Sequence, residues 1–414
     1  MDREFFLSSQ MPAGFQVEMA HTVIDISHAW FRKLQSKSIA LLIETSNGYC
    51  RGLLDGVIEY IKEKPNWSVQ LTEQERGARP PSWLRTWDGD GIIARIETDA
   101  IGRRLKQFGL PVVDLSAARH VTGIPWADTD DRAIAKLAYE HFVERGFRHL
   151  GFCGDAGFNW SKKRLASLKE FATKSEIGFH AHESGARYDS AFNPSTEMRR
   201  ISRWLTKLPK PIGIMACYDY KAQQVLDACR HAKLKVPEEV AVLGVDNDRL
   251  ICELSQPPLS SIIPDTRRTG YEAAALLDKL MSGKRISTDS PLVTTPLGIK
   301  VRESTDTLAV EDEEVAKALH YIRRHVTADV RVADVLREVS LSRRSLEHRF
   351  KKIVGRTPHA EIQLTRMNRI KELLRETRLS VQAIAEKTGY EYGEYMAAAF
   401  KREIGMTPSE YRQS

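Results

Sequence analysis

The chain has 414 residues, 42% apolar and 28% charged, too many for one core, since single cores stop growing near about 250–300 residues. Its 25 glycines, 17 prolines and 8% aromatics, scattered along the sequence, exclude collagen-like, low-complexity and wholly disordered classes. The net charge of +7 is local: residues 315–414 hold 20 of the 62 Lys/Arg and 12 of the 55 Asp/Glu, leaving a near-neutral body with 42 against 43, so only the tail is expected to face a polyanion.

Residues 1–36 carry no strand pattern, and the segment MAHTVIDISHAWFRKL predicts a partly helical extension without an assigned role. The acidic opening MDREFF does not match a secretory signal. No run approaches the roughly 18–20 apolar residues of a membrane span, so a cytoplasmic location without membrane contact is expected. From residue 37 short β-branched runs (SIALLIET, WSVQL, DGIIARI, LPVVDLS, RHLGFCG, IGIMACYD, EVAVLGVDN) alternate with amphipathic helical patterns (GLLDGVIEYIKE, DRAIAKLAYEHFVERG, RLASLKEFATK, YKAQQVLDACRHA). That alternation predicts an α/β fold with crossover connections and parallel sheets flanked by helices, and residues 37–305 are enough for a two-lobed domain. Cys50, Cys153, Cys217, Cys229 and Cys252 form no C-x-x-C pair and lie in apolar runs, the pattern of buried free thiols. After the strand-like LGIKVREST, the polar and acidic residues 306–312 are expected to form a linker to an all-α domain at 313–414.

The body contains no P-loop, G-x-G-x-x-G, H-E-x-x-H, G-x-S-x-G or paired-Cys zinc pattern, so no catalytic group, cofactor or metal is expected. The glycines of GLLDG lie within a helical pattern and read as packing. His320 and His325, five apart, read as helix-surface residues. What remains is a set of polar clusters where parallel strands should present their carboxyl ends, the place where such folds bind ligands. They are Thr45-Ser46-Asn47-Gly48-Tyr49, Trp126 with Asp128 and Asp130, Arg164, Tyr218-Asp219, and Asp246-Asn247-Asp248. Asp, Asn and Arg can each engage two vicinal hydroxyls, while Tyr or Trp covers an apolar ring face. Singly, an Asp or Asn after a strand is as readily a helix cap or turn former. Five clusters together point to a small polar ligand.

In the tail the period becomes helical and an internal repeat appears. FKKIVGRTP at 350–358 returns as FKREIGMTP at 400–408, and Val332 and Val335 answer to Val381 and Ile384. Each copy reads as a short helix, a turn, a second helix, and a Thr-Pro that restarts a helix: two helix-turn-helix modules. In the first, Val332, Val335, Leu336, Val339, Leu341, Leu346 and Phe350 lock the two helices together. Ser342 falls at an N-cap position, and Arg343, Arg344, Glu347, His348 and Lys351 are left to face DNA. The second module offers Gly393, Glu394, Ala397, Ala398 and Lys401, so phosphate and small apolar contacts are expected there, with most polar base readout in the first. The intervening AEIQLTRMNRIKELLRET predicts about five turns of helix that fix one module relative to the other.

The double module, with Gly389-Tyr390, Phe400-Lys401, Gly405, Thr407-Pro408 and Tyr411-Arg412, resembles the AraC family of transcription regulators. It departs from that family's signature at Ala398, where a polar or basic residue is commoner. The body, through LLIETSNGYCRGLLDGV, RLASLKEF, PEEVAVLGVDND and IKVREST, is similar to the LacI-type periplasmic-binding-protein fold. The two joined in this order resemble the family of xylose operon regulators over about residues 38–412. That resemblance implies a DNA-binding transcription activator controlled by a small sugar, D-xylose, binding between two lobes. It further implies a homodimer, DNA with repeated half-sites, and contact with RNA polymerase. By the same resemblance Asp219, Asp246, Asn247, Arg164 and Tyr49 are the foremost sugar contacts, followed by Ser46, Asn47 and Asp128. A different sugar or a nucleoside as effector, and a sugar-processing enzyme tethered to DNA, stay open as alternatives.

Overall fold

The computed structural model describes residues 36–74, 80–116, 121–185, 193–286, 291–307, 309–310, 312–325, 330–377 and 379–413. The expected N-terminal extension lies outside the described residues, apart from position 36. The chain first forms β1 (Lys37–Leu42), α1 (Gly48–Glu63), β2 (Trp67–Leu71), β3 (Gly91–Ala94), α2 (Asp99–Lys106), β4 (Val112–Asp114), β5 (Ala127–Thr129), α3 (Asp131–Glu144) and β6 (His149–Asp155). It continues through α4 (Asn159–Lys174), β7 (Gly178–Ser184), α5 (Pro194–Lys207), β8 (Ile212–Ala216), α6 (Asp219–His231), β9 (Val240–Val245), α7 (Arg249–Leu254), β10 (Ser260–Ile263), α8 (Thr266–Met281), β11 (Leu292–Thr294) and β12 (Gly298–Lys300). Among the described residues seven helices follow: α9 (Glu313–Arg324), α10 (Val332–Glu338), α11 (Arg343–Val354), α12 (Pro358–Glu376), α13 (Val381–Glu386), α14 (Gly393–Ile404) and α15 (Pro408–Gln413).

Two compact units result. The first takes the described residues up to Asp130 together with Pro264–Pro296. Its sheet, in the order β2-β1-β3-β4, is parallel throughout, and β5 pairs in parallel with β11. Alternate residues of β1 supply two cores. Ile39 and Leu41 pack with Leu53, Val57 and Leu277, whereas Ala40 and Leu42 pack with Leu84, Ile92 and Leu105. A strand apolar on both faces is the mark of a sheet covered on both sides by crossover helices. Helices α1 and α8 approach so closely that a Cβ on Gly56 would lie 1.9 Å from the Arg267 carbonyl oxygen, and one on Gly270 would lie 1.9 Å from that of Leu53. The glycines of GLLDG therefore serve packing, as their helical setting suggests.

The second unit, Asp131–Ile263 with Leu297–Ser414, holds a six-stranded sheet ordered β12-β10-β9-β8-β6-β7, in which only β12 runs antiparallel. All six residues of β9 and all five of β8 are buried. The tail has two cores. Val315, Leu319, Val335, Leu346, Phe350 and Ile362 form the first; Met367, Ile370, Leu374, Ile384, Met396, Phe400 and Tyr411 form the second. Helix α12 contributes to both, its first turns to one and its last turns to the other. At the repeated glycines both recognition helices end in left-handed backbone, with φ of 79° at Gly355 and 82° at Gly405.

The segment expected as a linker is instead built into the fold where it is described. Val310 is buried in the first tail core. Ala309 N–H donates to Arg145 O at 2.8 Å, and Asp312 caps α9 while pairing with Arg349 at 3.1 Å. A backbone anchored at two points and carrying a buried valine cannot act as a free tether. All five cysteines are buried, and none is joined in a disulfide.

Because a side chain at position 56 must displace backbone rather than a flexible side chain, Gly56→Leu is expected to destabilise the protein by about 1–3 kcal/mol. Urea unfolding followed by circular dichroism measures this; a midpoint equal to the parent's rejects the close-crossing account.

Candidate ligand edges and nucleic-acid interface

The carboxyl end of β1 delivers the first unit's polar edge. Asn47 caps α1, its Oδ1 accepting from Cys50 N–H at 2.9 Å, while its Nδ2 is buried without a hydrogen-bond partner. Ser46 is exposed. Tyr49 is buried and donates its hydroxyl to Asp128 Oδ1 at 3.0 Å; the same oxygen accepts from Thr129 N–H at 2.8 Å. The Arg95 guanidinium lies 5.2 Å from the Tyr49 ring centre and is paired with Glu44 at 3.0 Å and with Glu97. Tyr49, Asn47 and Asp128 are thus brought to one edge, and Glu44, Arg95 and Glu97 join them unannounced by the sequence reading. The signal was present in IETS and ARIETD, where charges follow immediately on apolar strands. Buried charges are costly unless paired and hydrogen-bonded, which is the state found here.

The second unit's edge is organised by Asp219, which is 1% exposed. Its carboxylate accepts from Asp248 N–H at 2.7 Å and from Ser261 Oγ at 2.6 Å. Burial and the charge of Asp246 push its pKa well above the ordinary carboxylate value, against the opposing pull of these donors. Gly244 makes room for it: a Cβ there would lie 2.2 Å from Asp219 Oδ1. The residue expected as a foremost sugar contact is therefore engaged by the chain itself. What it holds in place is the turn beyond β9, where Asp246 (φ 109°) and Asn247 (φ 47°) both adopt left-handed backbone. Non-glycine residues keep such conformations only where the surroundings over-determine them, and they concentrate at functional sites. Asn247 N–H donates to Ser261 Oγ at 2.9 Å, and its side-chain Oδ1 is buried without a hydrogen-bond partner.

Arg164, on α4, is fixed at the same edge. Its Nε donates to Asp131 Oδ1 at 2.8 Å and its Nη1 to Cys217 O at 2.6 Å. The guanidinium lies 5.0 Å from the Trp160 ring centre. Trp160 in turn stacks on Phe158 at 4.9 Å and meets Tyr218 edge-on at 5.6 Å. Phe158 and Trp160 were not singled out from sequence, although FNW, two residues beyond the strand RHLGFCGD, sits where a carboxyl-edge loop belongs. Further along that edge Lys221 Nζ donates to Ser184 Oγ at 2.9 Å, and Ser184 donates to Glu197 at 2.6 Å.

In the tail, Ser342 caps α11 by accepting from Ser345 N–H at 3.3 Å. Arg343, Arg344, His348 and Lys351 are exposed on that helix, while Glu347 is half-buried and pairs with Arg343 at 3.0 Å. On α14, Glu394, Ala398 and Lys401 are exposed and Ala397 is half-buried. Gly393 corrects the sequence expectation. It is buried, its N–H donates to Gln382 Oε1 at 2.7 Å, and a Cβ there would lie 3.0 Å from that same oxygen. It therefore packs α14 on α13 rather than presenting a surface. Two exposed aromatics, Tyr392 and Tyr395, were missed by the sequence reading and stand edge-to-face at the start of α14. His320 is not a plain surface residue either: its Nδ1 lies 2.9 Å from Glu238. His325 stacks on Tyr321 at 4.3 Å. Among the described residues no helix is long and apolar enough to cross a membrane.

Comparison with known proteins follows the same division. Models of a XylR N-terminal domain, a periplasmic binding protein-like domain and a helix-turn-helix domain match residues 38–130, 139–305 and 335–414. The xylose operon regulatory protein of Escherichia coli (strain K12) is 31% identical over 385 residues, covering 90% of this chain and 96% of that protein. The protein of the same name from Haemophilus influenzae is 32% identical over 386 residues, covering 91% and 98%. A solved structure described as the xylose-binding transcription activator xylR superposes with a TM-score of 0.78 at 30% identity, covering 91% of this chain and 98% of that one.

Glycine relieves left-handed backbone strain but removes the buried amide. Asn247→Gly is therefore expected to leave stability equal or raise it by about 0.5–1 kcal/mol while weakening ligand binding. Denaturant unfolding and ligand titration on one preparation check both parts; loss of stability with intact binding contradicts the assignment.

Proposed function

The chain belongs to the family of xylose operon regulatory proteins and is a DNA-binding transcription regulator, and from that premise we propose that it is an activator whose effector is D-xylose. The observation that carries the sugar reading is the second unit's edge. There an anchored guanidinium on Trp160 stands with a left-handed Asp246-Asn247 turn whose amide oxygen has no partner. A pentose presents vicinal hydroxyls to such groups and a weakly apolar face to aromatic rings. Arg164 is already neutralised by Asp131, and the charge of Asp246 that raises the Asp219 pKa stands at the same edge, so an uncharged sugar is favoured over a phosphorylated one.

The tail reads DNA chiefly through Arg344 and His348, which are exposed and stand outside the Arg343–Glu347 pair. Exposed Tyr392 and Tyr395 suit apolar contacts from the second module. The functional unit is a cytoplasmic homodimer, bound to repeated half-sites and contacting RNA polymerase. The chain catalyses no reaction. In support, the Ser184 hydroxyl that faces Lys221 is directed to Glu197 rather than left available as a nucleophile, and burial pushes the Cys217 and Cys229 thiols up to about 12.

Calorimetric titration with D-xylose, its epimers, nucleosides and sugar phosphates tests the effector. D-xylose is expected to bind and the phosphates are not; a nucleoside or another sugar binding in its place overturns the assignment, and turnover of any of them revives the enzyme reading. For DNA, Arg344→Ala is expected to lower affinity for a selected duplex by about 1–3 kcal/mol. An equal loss on random duplex makes Arg344 a phosphate anchor instead.

A further inference from the structure

The strand that carries the Asp246-Asn247 turn has a second end, and that end touches the DNA-binding tail. Glu238 lies in the turn just before β9 and is buried, its side chain 3% exposed. Its carboxylate is met by two residues of α9: His320 Nδ1 at 2.9 Å and Arg323 Nη1 at 3.5 Å. Burial alone would push the Glu238 carboxyl up, but the His320 hydrogen bond and the Arg323 charge outweigh it and hold the group below its ordinary value. Arg323 also reaches Glu361 of α12 at 3.7 Å, and Glu361 is paired with Arg356. A chain of charges thus runs from the foot of β9 through α9 to the helix shared by both DNA-reading modules.

The strand itself is a stiff connector. Its six residues are all buried and span roughly 20 Å at about 3.3 Å each. Neighbours are tied to it at both ends. Ser261 bonds Asp219 and receives Asn247 N–H at one end, and Ser304 donates to Val242 O at 2.6 Å nearer the other. A second route leaves the same turn: α7 begins at Arg249, and its Glu253 holds Arg302 at 2.9 Å.

Both routes end on one cavity of about 470 Å³, lined among others by Glu238, Arg302, His320, Arg323, Arg369 and Tyr411. With a cavity beside it, the contact between Glu238 and α9 is made through the charges of His320 and Arg323 rather than through close apolar packing alone. Because Glu238 is buried and its charge is compensated by His320 and Arg323, a shift of the foot of β9 either carries α9 with it or breaks a costly pair.

We propose that Glu238, with His320 and Arg323, is the positioning joint through which sugar at the Asp246-Asn247 edge sets the DNA affinity of the tail. The proposal rests on the sugar-responsive reading above and adds to it the residues that transmit the signal. None of the three touches sugar or DNA. Removing the charge of Glu238 should therefore leave each binding event intact and reduce the effect of one on the other.

The test uses the full chain, D-xylose and a duplex enriched by the protein from a random pool. Sugar affinity is measured by calorimetry, and DNA affinity by fluorescence anisotropy with and without sugar. In Glu238→Gln the sugar Kd is expected to stay within about twofold of the parent, while the sugar-induced change in DNA affinity falls by about tenfold, the scale of ordinary allosteric coupling. His320→Gln and Arg323→Gln, made on the partially exposed side of the joint, should each reduce the same ratio. The Glu238→Gln/His320→Gln pair should lose less than the sum of the singles, as expected for groups in one network. If Glu238→Gln misfolds, the two α9 variants decide the matter. A parent without any sugar-dependent change in DNA affinity refutes the functional reading, and the joint with it. A parent response that survives in the folded variants refutes the joint alone.

Discussion

One buried carboxylate sets the geometry of the sensor's second unit. Asp219 begins α6, accepts from the backbone of the turn after β9 and from the hydroxyl of β10, and so ties three chain segments together where the sheet presents its carboxyl ends. Gly244 is the condition for this arrangement, since any side chain there meets the carboxylate. The consequence is a turn held in left-handed backbone at two consecutive non-glycine residues, with an amide oxygen that the protein leaves unsatisfied. Strain and an unpartnered buried acceptor at one place are what a site prepared for a ligand requires, because the ligand then completes bonds the fold has left open.

The tail obeys a different constraint. A single helix-turn-helix pair has too little apolar surface to hold itself rigid, and here each pair is completed by an additional helix. Ile362 of α12 enters the first core, and Met367, Ile370 and Leu374 of the same helix enter the second. The two recognition helices are consequently fixed to opposite ends of one 19-residue rod, about 28 Å long at 1.5 Å per residue. Two modules read successive turns of one duplex face when held about 34 Å apart, and a shared rigid helix keeps whatever separation it sets constant. The basic charge of this domain then supplies salt-sensitive attraction that the near-neutral body does not.

Much of this was legible in the sequence because it is written in local pattern. The repeat of Phe350 and Gly355 by Phe400 and Gly405 predicts two equivalent helices, and both phenylalanines are fully buried while both glycines end a helix in left-handed backbone. The long alternation of strand and helix predicts parallel sheets. The readings that fell short depend on register and on contacts distant in sequence. Asp219 sits at a strand end, as expected of a ligand residue, but only the position of Ser261, forty-two residues later, reveals that its oxygens are engaged. The Glu44–Arg95–Glu97 group requires knowing that β1 and β3 are neighbours. Strands β5 and β11 are three residues each, too short for a periodicity to register. Gly393 looked like part of a reading face because its partner Gln382 lies on the preceding helix. His320 looked like surface because Glu238 is eighty-two residues away.

The account stands on one claim: occupancy of the sensor edge and grip on DNA are two ends of one equilibrium. Thermodynamic linkage requires the effect to be mutual. The most direct measurement is therefore the D-xylose dissociation constant of the full chain, free and then saturated with its selected duplex. The account predicts that bound DNA tightens the sugar by the same factor by which sugar tightens DNA. An identical sugar affinity in the two states would contradict it.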